Sequence, residues 1–215
     1  HKRYGLTFDF YRVVKSDYAL ISFFDQVFDQ GNNKAVSWHA YWTPMRYVML
    51  LKLSTLFDEV TLKKSWEARI EPDSIKAQAL LIDTCKAIQG RVHLLADARS
   101  QELVNDALQF VIDHPNEIHY NVTSKDQLLQ VSPNLMGFQF VMSGIAERLL
   151  RRKLEVSKII VDQQSQFNRA QITLQEFYLH FSTKEPVPVG PGLPEINFKG
   201  MPKVPISFSQ STESA

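Results

Sequence analysis

The sequence predicts an α/β fold in which a partly parallel sheet is flanked by helices. Short runs rich in β-branched and aromatic residues alternate with longer segments of helical periodicity. Apolar residues make up 44% of the 215 residues, which is enough for a sizeable core. We therefore expect a single α/β domain over residues 1–215. A loop is expected at residues 186–205, where proline and glycine are concentrated.

The first elements are read from composition and turn signals. Residues 4–14 are rich in Tyr, Phe, Thr and Val with partial alternation, which is typical of a strand. A helix is expected over residues 16–30, opened by Ser16 or Asp17, because Gly and Asn at 31–33 stop it. Residues 36–42 are aromatic and look extended.

Two helices are expected next. Thr43 offers a capping hydroxyl and Pro44 suits the first helical position, so a helix is predicted over residues 44–62. Pro72 opens the other helix and Gly90 ends it. The apolar face expected for that second helix carries Ile75, Ala79 and Ile82.

The remaining chain repeats the strand and helix pattern. Strand character is found at residues 91–95 and 117–123, and a helix opened by Ser100 lies between them. Further on, helices are predicted over 134–153 and 168–181. The clearest signal for a buried strand is residues 158–162, and residues 206–208 are expected to form a final strand.

Asp162 is the first candidate for chemistry, because it ends the strand at 158–162. Ligands of α/β sheets gather outside the carboxyl ends of the strands. A carboxylate there is a hard oxygen ligand for Mg²⁺ or Mn²⁺. The alternative is that Asp162 only caps the turn that follows.

Asp97 follows the predicted strand at 91–95 in the same manner. Two aspartates on neighbouring strands can share a metal ion, which would make Asp97 a second catalytic residue beside Asp162. Asp97 can equally cap the helix that begins directly after it.

His39 lies within an aromatic cluster, residues 38–42. A histidine there can be a catalytic base, a ligand or a stacking platform, and it can equally be a packed side chain. The same aromatic cluster is a candidate surface for a protein partner.

Four cations close the long predicted helix, namely Arg148, Arg151, Arg152 and Lys153. Cations at a helix C-terminus complement the helix dipole, which is their usual role. A phosphate-binding patch that also includes Lys158 is the alternative, and it suggests a nucleic acid partner. The whole chain has 24 Lys and Arg against 23 Asp and Glu, so its net charge gives no support for nucleic acid.

Several short motifs together resemble the family of the domain of unknown function 3800 (DUF3800) of bacteria and phages. They are Trp38-His39-Ala40, the cationic helix end that leads into the strand before Asp162, and the segment from Ile206 to Ser214. The resemblance covers roughly residues 35–215. It implies a ribonuclease H-like fold, a mixed sheet flanked by helices.

The resemblance also implies roles for individual residues. Asp162 matches the family's late-strand acidic residue, His39 its His-Ala segment and Ser211 the serine of its closing motif. The family's Asp-Glu-Ser-Gly strand is not found before Tyr4, and its Leu-Gln-x-x-Asp helix is not reached by Ala215. We therefore expect a fold truncated at both ends, without some of the carboxylates that a two-metal site needs.

These observations predict a divalent-metal-dependent nuclease. Asp162, Asp97 and His39 are the candidate catalytic residues, with Asp162 as the metal ligand. The candidate nucleic-acid-binding residues are Arg151, Arg152, Lys158 and Ser211. The alternative is a non-catalytic binding or scaffold module of a larger bacterial or phage assembly. One cysteine, Cys85, and no apolar run of spanning length lead us to expect a cytoplasmic protein without a membrane partner.

Overall fold

A computed structural model of the protein describes residues 10–37, 43–153, 155–162, 167–182 and 206–208. The chain divides into two compact units. One is Val14–Leu128, and the other combines His1–Val13 with Leu129–Ala215. The expectation of a single domain over the whole chain stays a prediction. None of the helices found in the described ranges has the length and apolar character needed to cross a membrane.

In the described part of the unit Val14–Leu128, the chain forms helices and two 3₁₀ turns. The helices are α1 (Lys15–Val27), α2 (Met45–Ser54), α3 (Glu59–Ile70), α4 (Ser74–Gln89) and α5 (Ala98–Asp113), and the 3₁₀ turns are Val92–Leu94 and Pro115–Glu117. A short helix, α6 (Lys125–Gln130), follows. Helix α4 packs against α3 and α5, while α1 packs against α3. Each of these helices therefore has one face in a shared core.

Aromatic side chains of α1 are at the centre of that core. Phe24 stacks on Phe28 at 4.9 Å between ring centroids, and Phe23 meets the edge of Tyr120 at 6.2 Å. A buried amide adds a polar link, because Asn33 Nδ2 donates to the carbonyl oxygens of Val27 at 2.8 Å and Ala107 at 2.9 Å. These bonds satisfy a fully buried polar group and join the end of α1 to α5.

Several sequence expectations for this unit are wrong. The helix predicted over 44–62 is two helices, because Asp58 caps α3 by accepting the N–H of Thr61 at 2.8 Å. Residues 91–95 form a 3₁₀ turn in place of a strand. Residues 117–123 form no strand either, although Ile118, Tyr120 and Val122 are buried in alternation as the pattern predicted.

The expected faces and caps also differ. On α4, Ile75 is 81% exposed, while Leu81 and Cys85 are fully buried, so the predicted apolar face is wrong. Apolar residues lie on both sides of this helix, and packing against α3 and α5 decides which side is covered. Helix α1 has Val14 at its N-cap without a side-chain cap, so neither Ser16 nor Asp17 fills that role. Gly90 does follow the last residue of α4.

The second unit contains the elements that the sequence predicted best. They are α7 (Pro133–Arg152), β1 (Ile159–Val161), α8 (Asn168–Ser182) and β2 (Ile206–Phe208). Ser132 caps α7 by accepting the N–H of Leu135 at 3.3 Å, and Lys153 ends it in the left-handed conformation with φ 53°. The predicted helices at 134–153 and 168–181 and the predicted strands at 158–162 and 206–208 are confirmed.

Strands β1 and β2 are parallel, with Ile159 opposite Ile206 and Val161 opposite Phe208. They form the sheet of the described residues, whose other regular elements are helical. The α/β expectation therefore holds in this coarse form. The expected burial of β1 is wrong, since Ile160 is 61% exposed. Residues 4–9, most of the extended segment at 36–42 and the loop at 186–205 lie outside the described residues, and residues 10–14 form no strand.

Candidate functional site

Asp162 lies at the carboxyl end of β1, directly after Val161, and its side chain is exposed. Strand β1, helix α8 and strand β2 follow each other in the order of a parallel β-α-β crossover. In such units the carboxyl ends of the strands meet at one edge, where ligands are bound. The structure therefore places Asp162 at the edge that the sequence predicted.

Two buried glutamines on α8 face this crossover. Gln175 Oε1 accepts the N–H of Ile206, the first residue of β2, at 2.8 Å. Gln171 lies one turn earlier and is 4% exposed, and its Oε1 is buried without a hydrogen-bond partner among the described residues. Because a crossover helix runs antiparallel to its strands, Gln171 lies nearer than Gln175 to the edge that carries Asp162.

The donor chemistry at this edge fits a hard divalent cation. Carboxylate and amide oxygens are groups that Mg²⁺ and Mn²⁺ prefer. Asp162 is the carboxylate that the described residues supply here. No cluster of three or more His, Cys, Asp or Glu suited to a metal ion occurs among the residues that the structure describes. Among the described residues, Asp162 therefore stays a single candidate metal ligand.

The predicted phosphate-binding cations lie in two places. Arg151 and Arg152 are exposed in the last turn of α7, where they also complement the helix dipole. Lys158 precedes β1 and is exposed at its amino end. At the rise of an extended chain, Lys158 is about 13 Å from Asp162 along the strand. Lys158 and Asp162 therefore lie at opposite ends of β1.

A concave pocket of about 350 Å³ lies against α7 in the same unit. It is lined by Val141, Ile145 and Arg148 of the helix, together with Tyr11 and Val156. Tyr11 approaches the helix backbone at Gly144, where a Cβ would collide with its phenol. Sequence reasoning missed this pocket. The available signal was a glycine in the middle of a strong helical pattern, which often marks the close approach of another group.

Asp97 has a different setting, in the unit Val14–Leu128. It is the N-cap of α5, and its Oδ1 accepts the N–H of Ser100 at 2.8 Å. Its Oδ2 accepts a hydrogen bond from Lys52 Nζ at 2.6 Å. The Lys52 hydrogen bond, followed by those of Ser100, lowers the pKa of Asp97 to about 2. This geometry is that of the helix cap, and the strand expected before Asp97 is wrong.

The remaining residues considered from the sequence are His39, Ser211 and Cys85. His39 and the rest of the aromatic cluster at 38–42 lie outside the described residues, as does Ser211. Cys85 is fully buried in α4, and burial raises the pKa of its thiol far above the ordinary value. A thiolate nucleophile is not formed under those conditions.

Comparison of the chain with family models, with curated proteins and with solved structures found no match.

Proposed function

We propose that this chain acts as a divalent-metal-dependent nuclease of ribonuclease H-like type, similar to the DUF3800 family, with Asp162 as a metal ligand. The observation that carries the proposal is the position of Asp162 directly after the parallel strand β1 of a β-α-β crossover. Metal-binding carboxylates are suited to that edge, because several chain segments meet there.

The chemistry follows from the residues at this edge. A bound Mg²⁺ or Mn²⁺ would polarise a phosphoryl oxygen and activate a water molecule for attack on a phosphodiester. Asp162 would hold the ion. Gln171 Oε1, which is buried without a hydrogen-bond partner among the described residues, could accept a hydrogen bond from a water molecule. Arg151 and Arg152 would bind backbone phosphates through their guanidinium groups. The resemblance adds His39 and Ser211 to the proposed site.

The test is cleavage of fluorescent single-stranded RNA and DNA by the full-length protein with Mg²⁺ or Mn²⁺. Asp162→Asn keeps the shape of the side chain but removes its charge, so we expect cleavage to fall at least a hundredfold. Glu155→Gln is the matched control, because Glu155 is also an exposed carboxylate of the same unit. Unchanged cleavage by Asp162→Asn would remove this residue, and the proposal with it.

A second candidate function is a non-catalytic binding or scaffold module of a bacterial or phage assembly. It is favoured by apolar side chains that α2 exposes, namely Met45 at 47%, Tyr47 at 75%, Val48 at 40% and Leu51 at 71%. These residues follow the aromatic cluster at 38–42 in sequence, which is the proposed surface for a protein partner. A cytoplasmic location suits either function, since the one cysteine is a free, buried thiol.

Calorimetric titration of the full-length protein with Mn²⁺ separates the two candidates. Binding that Asp162→Asn abolishes supports the nuclease. Absence of both binding and cleavage supports the scaffold. The corresponding test of the scaffold is loss of a partner on Leu51→Lys, with Val60→Lys as the control because Val60 is another exposed apolar residue of the same unit, at 72%.

A further inference from the structure

We propose that the pocket between Tyr11 and α7 binds a base of single-stranded nucleic acid, while Arg148 and Arg152 bind the phosphates next to it. Nucleic acid as the ligand class rests on the proposed function. The site itself rests on a separate set of residues, which do not include Asp162.

The walls of the pocket suit a flat, apolar group. Val141, Ile145 and Val156 supply aliphatic contacts, and Tyr11 supplies an aromatic ring that is 44% exposed. A volume of about 350 Å³ lies near the lower end of the range for small-molecule sites, which is suitable for a single nucleotide unit. Every base has a π-face, so stacking on an aromatic side chain accepts any sequence.

One face of α7 changes from apolar to cationic along its length. Val141, Ile145, Arg148 and Arg152 follow one another at intervals of four, three and four residues, which places them on the same side of a helix. Arg148 lines the pocket, and Arg152 is exposed one turn further on. A guanidinium has five N–H donors, so Arg148 can bind a phosphate oxygen and keep another contact.

The cationic end of α7 suits a polyanion. Arg151 and Lys153 stand beside Arg152 at the end of α7, and all three are exposed. A chain of phosphates can follow this end of the helix while one base enters the pocket. A base paired in a duplex is stacked and cannot enter, so the geometry selects a single strand.

A glycine in α7 permits the close approach of Tyr11 to the helix. Gly144 has no Cβ, and this absence allows the phenol of Tyr11 to lie against the backbone of α7. The ring therefore lies at the edge of the pocket with part of its surface exposed, where a base can stack on it.

The experiment measures binding of fluorescent twelve-residue oligo(dT) and oligo(U) by the full-length protein, in EDTA so that cleavage does not interfere. Loss of one stacking contact weakens binding about fivefold to 150-fold, and we expect this range for Tyr11→Leu. Tyr11→Phe keeps the ring and is expected to bind within about threefold of the wild type. Phe10→Leu is the matched control, because Phe10 is the neighbouring aromatic residue, is 92% exposed and does not line the pocket.

Salt dependence tests the arginines separately. Each lost phosphate contact on a single strand makes the negative slope of log K against log salt shallower by about 0.7. We expect this change for Arg148→Gln and for Arg152→Gln. Arg99→Gln is the control, because Arg99 is paired with Glu102 at 2.6 Å on α5. A slope unchanged by both pocket variants would overturn the phosphate assignment.

A third measurement needs no variant. Oligonucleotides that carry 5-bromouracil are irradiated with the wild-type protein, and the cross-linked peptide is identified by mass spectrometry. Cross-linking at Tyr11 supports the pocket. Cross-linking only elsewhere, equal binding by Tyr11→Leu, or no binding of single strands by the wild type would overturn it.

The outcomes distinguish this proposal from the nuclease. Binding that depends on Tyr11, without metal-dependent cleavage, would leave the pocket standing and remove the nuclease. Cleavage that depends on Asp162, together with binding that Tyr11→Leu and Arg148→Gln leave unchanged, would support the nuclease and remove the pocket.

Discussion

Lys52 Nζ donates a hydrogen bond of 2.6 Å to Asp97 Oδ2 and so joins α2 to the N-cap of α5. The same ammonium group contacts Ser100 Oγ at 2.6 Å, and Ser100 is 4% exposed. A carboxylate that caps a helix and pairs with a lysine is stabilised in its charged form. The relationship gives Asp97 a structural role, as a helix cap that pairs with a lysine of another helix.

The pH dependence of this pair is the first prediction. The pKa of Asp97 is lowered from 3.8 to about 2, chiefly by the Lys52 hydrogen bond. A lowered pKa stabilises the folded state above about pH 4, and this stabilisation is lost as the pH falls towards about 2. Carbon-13 NMR of the Asp97 carboxyl group is expected to show a midpoint near pH 2.

Lys52→Met tests the cause. It removes the main cause of the lowered pKa, so the Asp97 midpoint is expected to rise towards its ordinary value. Urea unfolding between pH 4 and 2 is then expected to depend less on pH. Lys63→Met is the control, because Lys63 and Glu67 form an exposed pair at 4.0 Å. An Asp97 midpoint that Lys52→Met leaves in place would contradict the assignment.

Glycine substitutions in α7 give the second prediction. Gly144→Ala places a Cβ against Tyr11, and we expect a loss of about 1–3 kcal/mol in the free energy of unfolding from overpacking. Gly137→Ala is the matched control, because its Cβ would meet Val13 Cγ2 at an ordinary 3.8 Å. In Gly137→Ala, the better helix propensity of alanine is expected to raise the free energy of unfolding by about 0.5–1 kcal/mol.

A double-mutant cycle checks that the clash is with Tyr11. In the Tyr11→Ala background, Gly144→Ala is expected to lose its penalty and to behave like Gly137→Ala. The measurement is urea unfolding followed by circular dichroism. Equal effects of Gly144→Ala in both backgrounds would show that Tyr11 does not cause the strain.

The two buried glutamines of α8 give the third prediction. Their substitutions are expected to have different effects on the free energy of unfolding. Gln175→Met removes the acceptor for the N–H of Ile206 and is expected to destabilise by about 1–3 kcal/mol. Gln171→Met removes an oxygen that has no hydrogen-bond partner in the described residues, so stability is expected to stay equal or rise. Denaturation curves measure both, and a Gln171→Met variant less stable than Gln175→Met would refute the account.

Cys85 supplies the fourth prediction. Its thiol is fully buried and burial raises its pKa, so alkylation by iodoacetamide at pH 8 is expected to be slow in the native protein and rapid in urea. Mass spectrometry follows the modification. Ser157→Cys is the positive control, because position 157 is exposed. Labelling of Cys85 as fast as that of position 157 in native protein would refute its burial.

The elements that the sequence predicted well share a physical reason. Helix α7 has a capping serine, a proline at its first position and apolar residues at helical spacing, so its local signals agree with one another. Residues 91–95 have no such support. A short apolar run suits a strand and a turn of helix equally, and packing of the 3₁₀ turn against α5 decided between them.

The position of Asp162 at the end of a strand was predictable, because a strand-end carboxylate is a local feature of the chain. Asp97 had the same local signature and became a helix cap, since Lys52, 45 residues earlier, reaches its carboxylate. The pocket depends on residues still further apart, with Tyr11 against Gly144.

The sequence by itself determined the helices and strands of the second unit, because periodicity and capping act within a few residues. Only the tertiary structure decided which aspartate pairs with a lysine, which face of α4 is buried and where Tyr11 lies. Those outcomes depend on contacts between segments that are distant in sequence, and such contacts produce no local sequence pattern.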